Sequence, residues 1–218
     1  MTTRLPRLAS APQLLTALLL CTGLLSGCAS SKGAEPVAYD LGTMGAMPAN
    51  GGATIATIAT IAPITVADVT SAPWLDSQMM HFRLSYANDQ QPRPYATSRW
   101  SMPPPQLLSQ RIKARMAQAG VSVLSGSDGA INVPLLRIEA DDFSQRFDSP
   151  GSSDVHVAWR ASVFNGRLLV AQKTFEQQRP ATGADAAGGA RALAITTDAL
   201  IGDMMAWLAT LPVKRSMP

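Results

Sequence analysis

From Val155 the chain alternates strictly. Val155, Val157, Trp159, Ala161 and Val163 are apolar at every second position, and the run ends at Asn165-Gly166. Successive side chains of a strand point to opposite faces, so this run must bury one whole face. Asn-Gly after such a run is the strongest short hairpin signal in the chain, and Leu168 to Glu176 supplies the returning strand. Upstream, Leu136, Ile138 and Ala140 alternate with Arg137, Glu139 and Asp141. Phe143 and Phe147 fall on the opposite parity, which predicts a bulge or bend near Asp141-Asp142. A turn from Asp148 to Ser153 separates these two strands.

Helical spacing appears twice. Pro103-Pro104-Pro105 ends a sheet segment and opens a helix, since proline is tolerated in a first turn. Leu108, Ile112, Met116 and Ala119 then share one face, which leaves Gln110, Arg111, Lys113 and Arg115 mostly outside, and Gly120 is a natural C-cap. A second helix is expected from about Ala190 to Leu211, with Leu193, Thr197, Leu200, Ile201, Met204, Leu208 and Leu211 as its stripe. Before the first helix, strands are expected at 64–69, 80–86 and 95–100, with a turn at Asn88 to Pro92. His81 and Arg83 take the wetter face of the second of these strands. After it, Val121 to Leu124 reads as a short strand. The order is three strands, helix, four strands, helix. The fold class is a mixed α/β two-layer domain: a mostly antiparallel sheet of about six or seven strands, one parallel pair, and two amphipathic helices on one face.

The N-terminus carries different information. Arg4 and Arg7 precede an apolar run from Leu14 to Leu25, shorter than the about 20 residues a membrane-spanning helix needs. The run ends in Leu25-Ser26-Gly27-Cys28, which resembles the bacterial lipobox, whose cysteine is acylated after cleavage before it; an ordinary signal peptide with a chance cysteine is the alternative. Residues 1–27 then read as signal peptide, 28–62 as acylated Cys28 plus a Gly/Ala/Thr-rich tether, and 63–218 as a periplasmic domain. The tether includes the three-residue repeat Ala53 to Ile61. A flexible tether of this length has an r.m.s. reach of roughly 30 Å and a limit of about 110 Å. Cys21, the other cysteine, leaves with the signal, so no disulfide is expected. Without residues 1–27 the formal charge falls from +3 to +1, because Arg4 and Arg7 are lost and no acid. Near-neutral charge and scattered arginines argue against nucleic acid as a partner.

No catalytic constellation emerges. His81 and His156 have no partner at metal-ligand spacing, so no metal or cofactor is expected. Asp141-Asp142 reads as a solvated turn, with a cation site as the alternative. Gly183 to Gly189 lacks the lysine and spacing of a phosphate loop and reads as linker and helix start. Ser98 and Ser101 have no nucleophile context. Met204 and Met205 fit a core stripe, with an adaptable apolar groove as the alternative. Trp159 belongs to the core, whereas Trp74, in a loop among prolines and acids, is the candidate partner-interface residue.

Several short features in order resemble the ABC-type transport auxiliary lipoproteins. They are the lipobox, Tyr39 with Leu41-Gly42, Leu75-Asp76 with Arg83, Arg99-Trp100 with Pro103, Phe147-Asp148, Ala158-Trp159 and the Ala-rich last helix. The departures are a longer tether and Met102, where the family often carries an acid. The resemblance implies a lipid-anchored periplasmic subunit, non-catalytic, that accompanies an MCE-domain protein and an ABC permease and ATPase moving phospholipid or similar apolar cargo between membranes. Ala29 and Ser30 after the cysteine, with no Asp, point to the outer membrane. Two other classes remain open: a carrier that itself binds lipid in a cavity between sheet and helices, and a structural envelope lipoprotein.

Overall fold

The computed structural model describes residues 35–45 and 61–212. The expected signal peptide, Cys28 and most of the expected tether lie outside them. The chain divides into units Met1–Glu35 and Pro36–Pro218, and every described element belongs to the second.

That unit is organised around one long strand. The elements are β1 (Val37–Tyr39), β2 (Ile64–Val66), β3 (Thr70–Ser71), β4 (Met79–Leu84), β5 (Asn88–Trp100), α1 (Pro104–Gln118), β6 (Val123–Ser125), β7 (Leu135–Ser149), β8 (Ser152–Asn165), β9 (Leu168–Pro180) and α2 (Ala186–Ala209). One edge of β7 pairs with β8 along its length. Its other edge receives three short parallel strands in turn, β2 at Leu135-Leu136, β3 at Glu139-Ala140 and β4 at Gln145 to Phe147. β5 and then β1 extend the sheet beyond β4, and β9 closes the far side beyond β8.

The mixed α/β class and the two helices on a sheet are as expected. The sheet is larger and more parallel than expected. Nine strands take part, and five pairings are parallel, though the longest contacts, β7–β8 and β8–β9, are antiparallel. The register shifts between Ala140 and Asp142, so the bulge lies where the parity change placed it. The β4–β5 turn is Ser85 to Ala87 rather than 88–92. Pro92 and Pro94 are instead inside β5, on the stretch that β1 leaves uncovered, where a missing N–H is tolerated.

Val155, Val157, Trp159, Ala161 and Val163 are fully buried, beneath helices that supply Leu108, Ile112, Met116, Leu200, Ile201, Met204 and Met205. Both methionines therefore belong to the core. Helix α1 ends at Gly120, whose φ of 87° disfavours a side chain. Gly120 N–H donates to Ala117 O and Val121 N–H to Met116 O, a Schellman closure. Helix α2 is long and apolar enough to cross a bilayer, yet most of its apolar side chains face this core, with Ile195 the exposed exception.

The tether expectation needs a correction. Pro36 to Gly45 is docked: β1 pairs in parallel with Ser98 to Trp100, and Leu41 is buried. The globular unit starts at Pro36, not at residue 63. Composition misleads here because one buried leucine, one half-buried tyrosine and a three-residue strand suffice to fix a Gly/Ala-rich segment.

Candidate functional site

The most distinctive cluster lies where this N-terminal segment meets both helices. Arg111 and Arg115, four residues apart on α1, turn inward to Asp198 on α2. Arg111 is bidentate, Nε to Oδ1 and Nη2 to Oδ2, both at 2.7 Å. Arg115 Nε donates to Oδ1 at 2.9 Å, and its Nη2 contacts Oδ2. The third nitrogen of each guanidinium reaches the N-terminal segment. Arg111 Nη1 donates to Gly42 O at 2.9 Å, and Arg115 Nη1 to Gly45 O and Gln118 Oε1, both at 2.7 Å. All three charged side chains are buried, with residue exposures of 7% for Arg111, 2% for Arg115 and 6% for Asp198. Arginine suits this place because its fork serves the carboxylate and one further acceptor at once.

Burial alone would push the Asp198 carboxyl up. Hydrogen bonds and charge from Arg111 and Arg115 outweigh it and hold the carboxyl below its ordinary value. Gly42 completes the clamp. Its φ of 66° turns the chain, and its N–H donates to Asp40 Oδ1 at 2.7 Å. Two open grooves flank the segment. One, of about 410 Å³, lies against α2 at Ala187, Ala190, Arg191, Ala194 and Ile195; the other, of about 180 Å³, lies against α1 at Leu107, Gln110 and Ala114.

Arg111 and Arg115 were expected outside, and Asp198 carried no expectation. The reason is that α1 has a second inward face. Two arginines at i and i+4 beside an apolar stripe, and one acid amid the uncharged run Ala192 to Gly202, are the signals that could have found them.

The other singled-out residues are scattered. Trp74 is half-buried, not free: its ring meets His81 edge-on at 5.8 Å, and the Arg83 guanidinium lies over it at 5.6 Å. Burial, then Arg83, lowers the His81 pKa. Burial and Arg146 lower that of His156, against Asp142, Glu176 and Asp154. Asp142 accepts from Ser144 Oγ at 2.6 Å and pairs with Arg146. Among the described residues no group of three or more His, Cys, Asp or Glu could hold a metal.

The glycine-rich stretch is a packing device. A Cβ on Gly189 would lie 2.1 Å from Gln145 Oε1, and one on Gly188 2.3 Å from Gly183 O. Gln145 is fully buried, accepts from Tyr95 Oη at 2.9 Å and donates to Ser153 Oγ at 2.7 Å. Burial, then Asp185, raises the Tyr95 pKa, so its hydroxyl stays a donor.

The model of the family described as the ABC-type transport auxiliary lipoprotein component matches residues 39–205. Its first matched residue is Tyr39 in β1, and it spans the whole clamp. Among solved structures, protein XCC0632 from Xanthomonas campestris, of the DUF330 family, is 19% identical, over 66% of this chain and 82% of its own, with a TM-score of 0.58. An uncharacterised protein is 13% identical over 78% of this chain and 97% of its own, with a TM-score of 0.61. At these identities the likeness concerns the fold. No curated protein matches the sequence. With a family match over most of its length and a shared fold, the chain belongs to the ABC-type transport auxiliary lipoprotein component family.

Proposed function

We propose that this protein is a non-catalytic, lipid-anchored adaptor at the periplasmic face of the outer membrane, serving an ABC transporter through an MCE-domain protein. Acyl chains on Cys28 hold it to the bilayer. The cargo is phospholipid or a similarly apolar molecule, and ATP hydrolysis belongs to the cytoplasmic partner. One observation carries the reading: the segment that follows the acylation site is locked to both helices by Arg111, Arg115 and Asp198. Such a linkage fixes where a docking domain sits and does nothing for turnover.

A carrier would need room for an acyl chain between sheet and helices. The cavity there, at Ile64, Val163 and Leu208, measures about 40 Å³, small against the roughly 300–1,000 Å³ of ligand pockets. Trp74, with Arg83 over its ring, is the proposed contact for the partner.

The test is a crosslinking pull-down of the full lipoprotein from membranes, with Cys28→Ala and Trp74→Ala controls and lipid analysis of the eluate. The adaptor reading expects an MCE protein and its permease, lost with Cys28→Ala. Bound phospholipid without those proteins would establish the carrier. Unchanged capture by a folded Trp74→Ala variant would remove Trp74 from the interface.

A further inference from the structure

We infer that the β1 side of the domain, around Val37, Met44 and Ile195, rests on the phospholipid surface that holds Cys28, and that the unpaired edge of β9 is turned away from it. The inference rests on acylation of Cys28, proposed above, and adds the orientation.

The first argument is length. Docking of Pro36 to Gly45 leaves only residues 29–35 between the anchor and the body. Whatever conformation they take, eight Cα steps from Cys28 to Pro36 cannot exceed ~29 Å. The clamp prevents this leash from lengthening, because Gly42 O and Gly45 O are held by buried guanidiniums.

The second argument is where apolar surface is left uncovered. Eight large apolar side chains are exposed among the described residues. Val37 (54%) and Met44 (41%) are on the docked segment, and Ile195 (49%) lines the groove beside it. Met79 (54%) lies in the row Ala38, Arg99, Met79 across β1, β5 and β4. Half of the exposed apolar set thus surrounds the end of the leash. Arg191 and Arg99, both exposed, give this surface cations for lipid phosphates beside two exposed carboxylates, Glu35 and Asp40, so its net charge is balanced rather than acidic. Apolar side chains among arginines suit the headgroup boundary.

The third argument is the strand order. β5, β4, β7 and β8 separate β1 from β9. That is about 24 Å measured along the sheet. β9 pairs only with β8, so Leu168–Pro180 keeps a free edge at the opposite end of the strand order from β1.

The experiment uses the full acylated protein in vesicles of phosphatidylethanolamine and phosphatidylglycerol. The mature chain has no free thiol once Cys28 is acylated, so Ile195→Cys, Met44→Cys and Thr174→Cys each accept one fluorophore. Short-range quenching by a nitroxide on the lipid headgroup should be at least about threefold stronger at 195 and 44 than at 174. Inserting twelve Gly/Ser residues between Glu35 and Pro36 should abolish that difference. Equal quenching at the three positions with the native leash overturns the orientation. A mature mass lacking diacylglycerol, with no vesicle retention, overturns the anchor reading instead.

Discussion

The inward side chains of β8 and the three charges of the seam between β1, α1 and α2 are all buried, yet opposite chemistries hold the two places. The middle of the meander is hydrocarbon: five β8 side chains from Val155 to Val163 are fully buried, on a strand that pairs with its two neighbours in sequence. The seam is held by three buried charges and two backbone carbonyls from segments 69 to 87 residues apart. Burying hydrocarbon stabilises in proportion to area, with little regard for direction. A buried ion cluster contributes little net energy but punishes any missing partner. The meander therefore supplies stability, and the seam supplies a defined attachment.

Single deletions should not separate the two regions, but rescue should. Asp198→Ala leaves two buried guanidiniums uncompensated and should cost about 3–5 kcal/mol in denaturant unfolding. Replacing the set together, as Arg111→Met, Arg115→Leu and Asp198→Leu, should restore stability while leaving residues 36–45 open to proteolysis. If that segment stays protected, the charges are not what holds it. Trp159→Ala should cost about 3–5 kcal/mol, and no second substitution around the cavity should recover it. Gly189→Ala drives a methyl against Gln145 and should cost about 1–3 kcal/mol. A neutral result in thermal melts would mean that the Gln145 amide swings aside from α2.

The smallest effect is that of pH. His81 and His156 titrate below their ordinary 6.5 in the fold. A lowered folded value means that protonation favours the unfolded chain. Their contribution is therefore intact above pH 6.5 and lost as pH falls through the lowered values. Asp198, held below its ordinary 3.8, keeps its contribution until the solution is more acidic than that, and loses it as pH falls through the depressed value. Thermal melts should thus show two separate losses on acidification. The first should vanish in a His81→Gln/His156→Gln variant and the second in Asp198→Asn.

The same contrast explains what could be read from the chain. Alternation from Val155 to Val163 and the parity change at Asp141 are local patterns, and they placed β8 and the bulge. Arg111 and Arg115 were misread because periodicity treats arginine as a solvent-facing residue, and their partner is more than 80 residues away. Gly188 and Gly189 have poor helix propensity, which suggested a loop, but close packing of Gly188 on the Gly183 backbone and of Gly189 on Gln145 requires them inside α2. Tyr39 and Leu41 are too sparse to signal a strand, so β1 was absorbed into the tether. Trp74 was read as an exposed loop aromatic but is half-buried, because its contacts with His81 and Arg83 depend on a turn that composition does not specify.

The clamp also sets an order of events in time. Everything that fixes Pro36 to Gly45 is encoded later in the chain: β5 comes about sixty residues on, the arginines follow, and Asp198, which aligns both of them, comes near the end. A polypeptide is made from its N-terminus, so its first docked segment is the last to be secured. Until α2 packs, Arg111 and Arg115 lack the carboxylate that aligns them, so their hold on Gly42 O and Gly45 O comes only with the end of the chain. Completion of the fold is thus what secures its first docked segment.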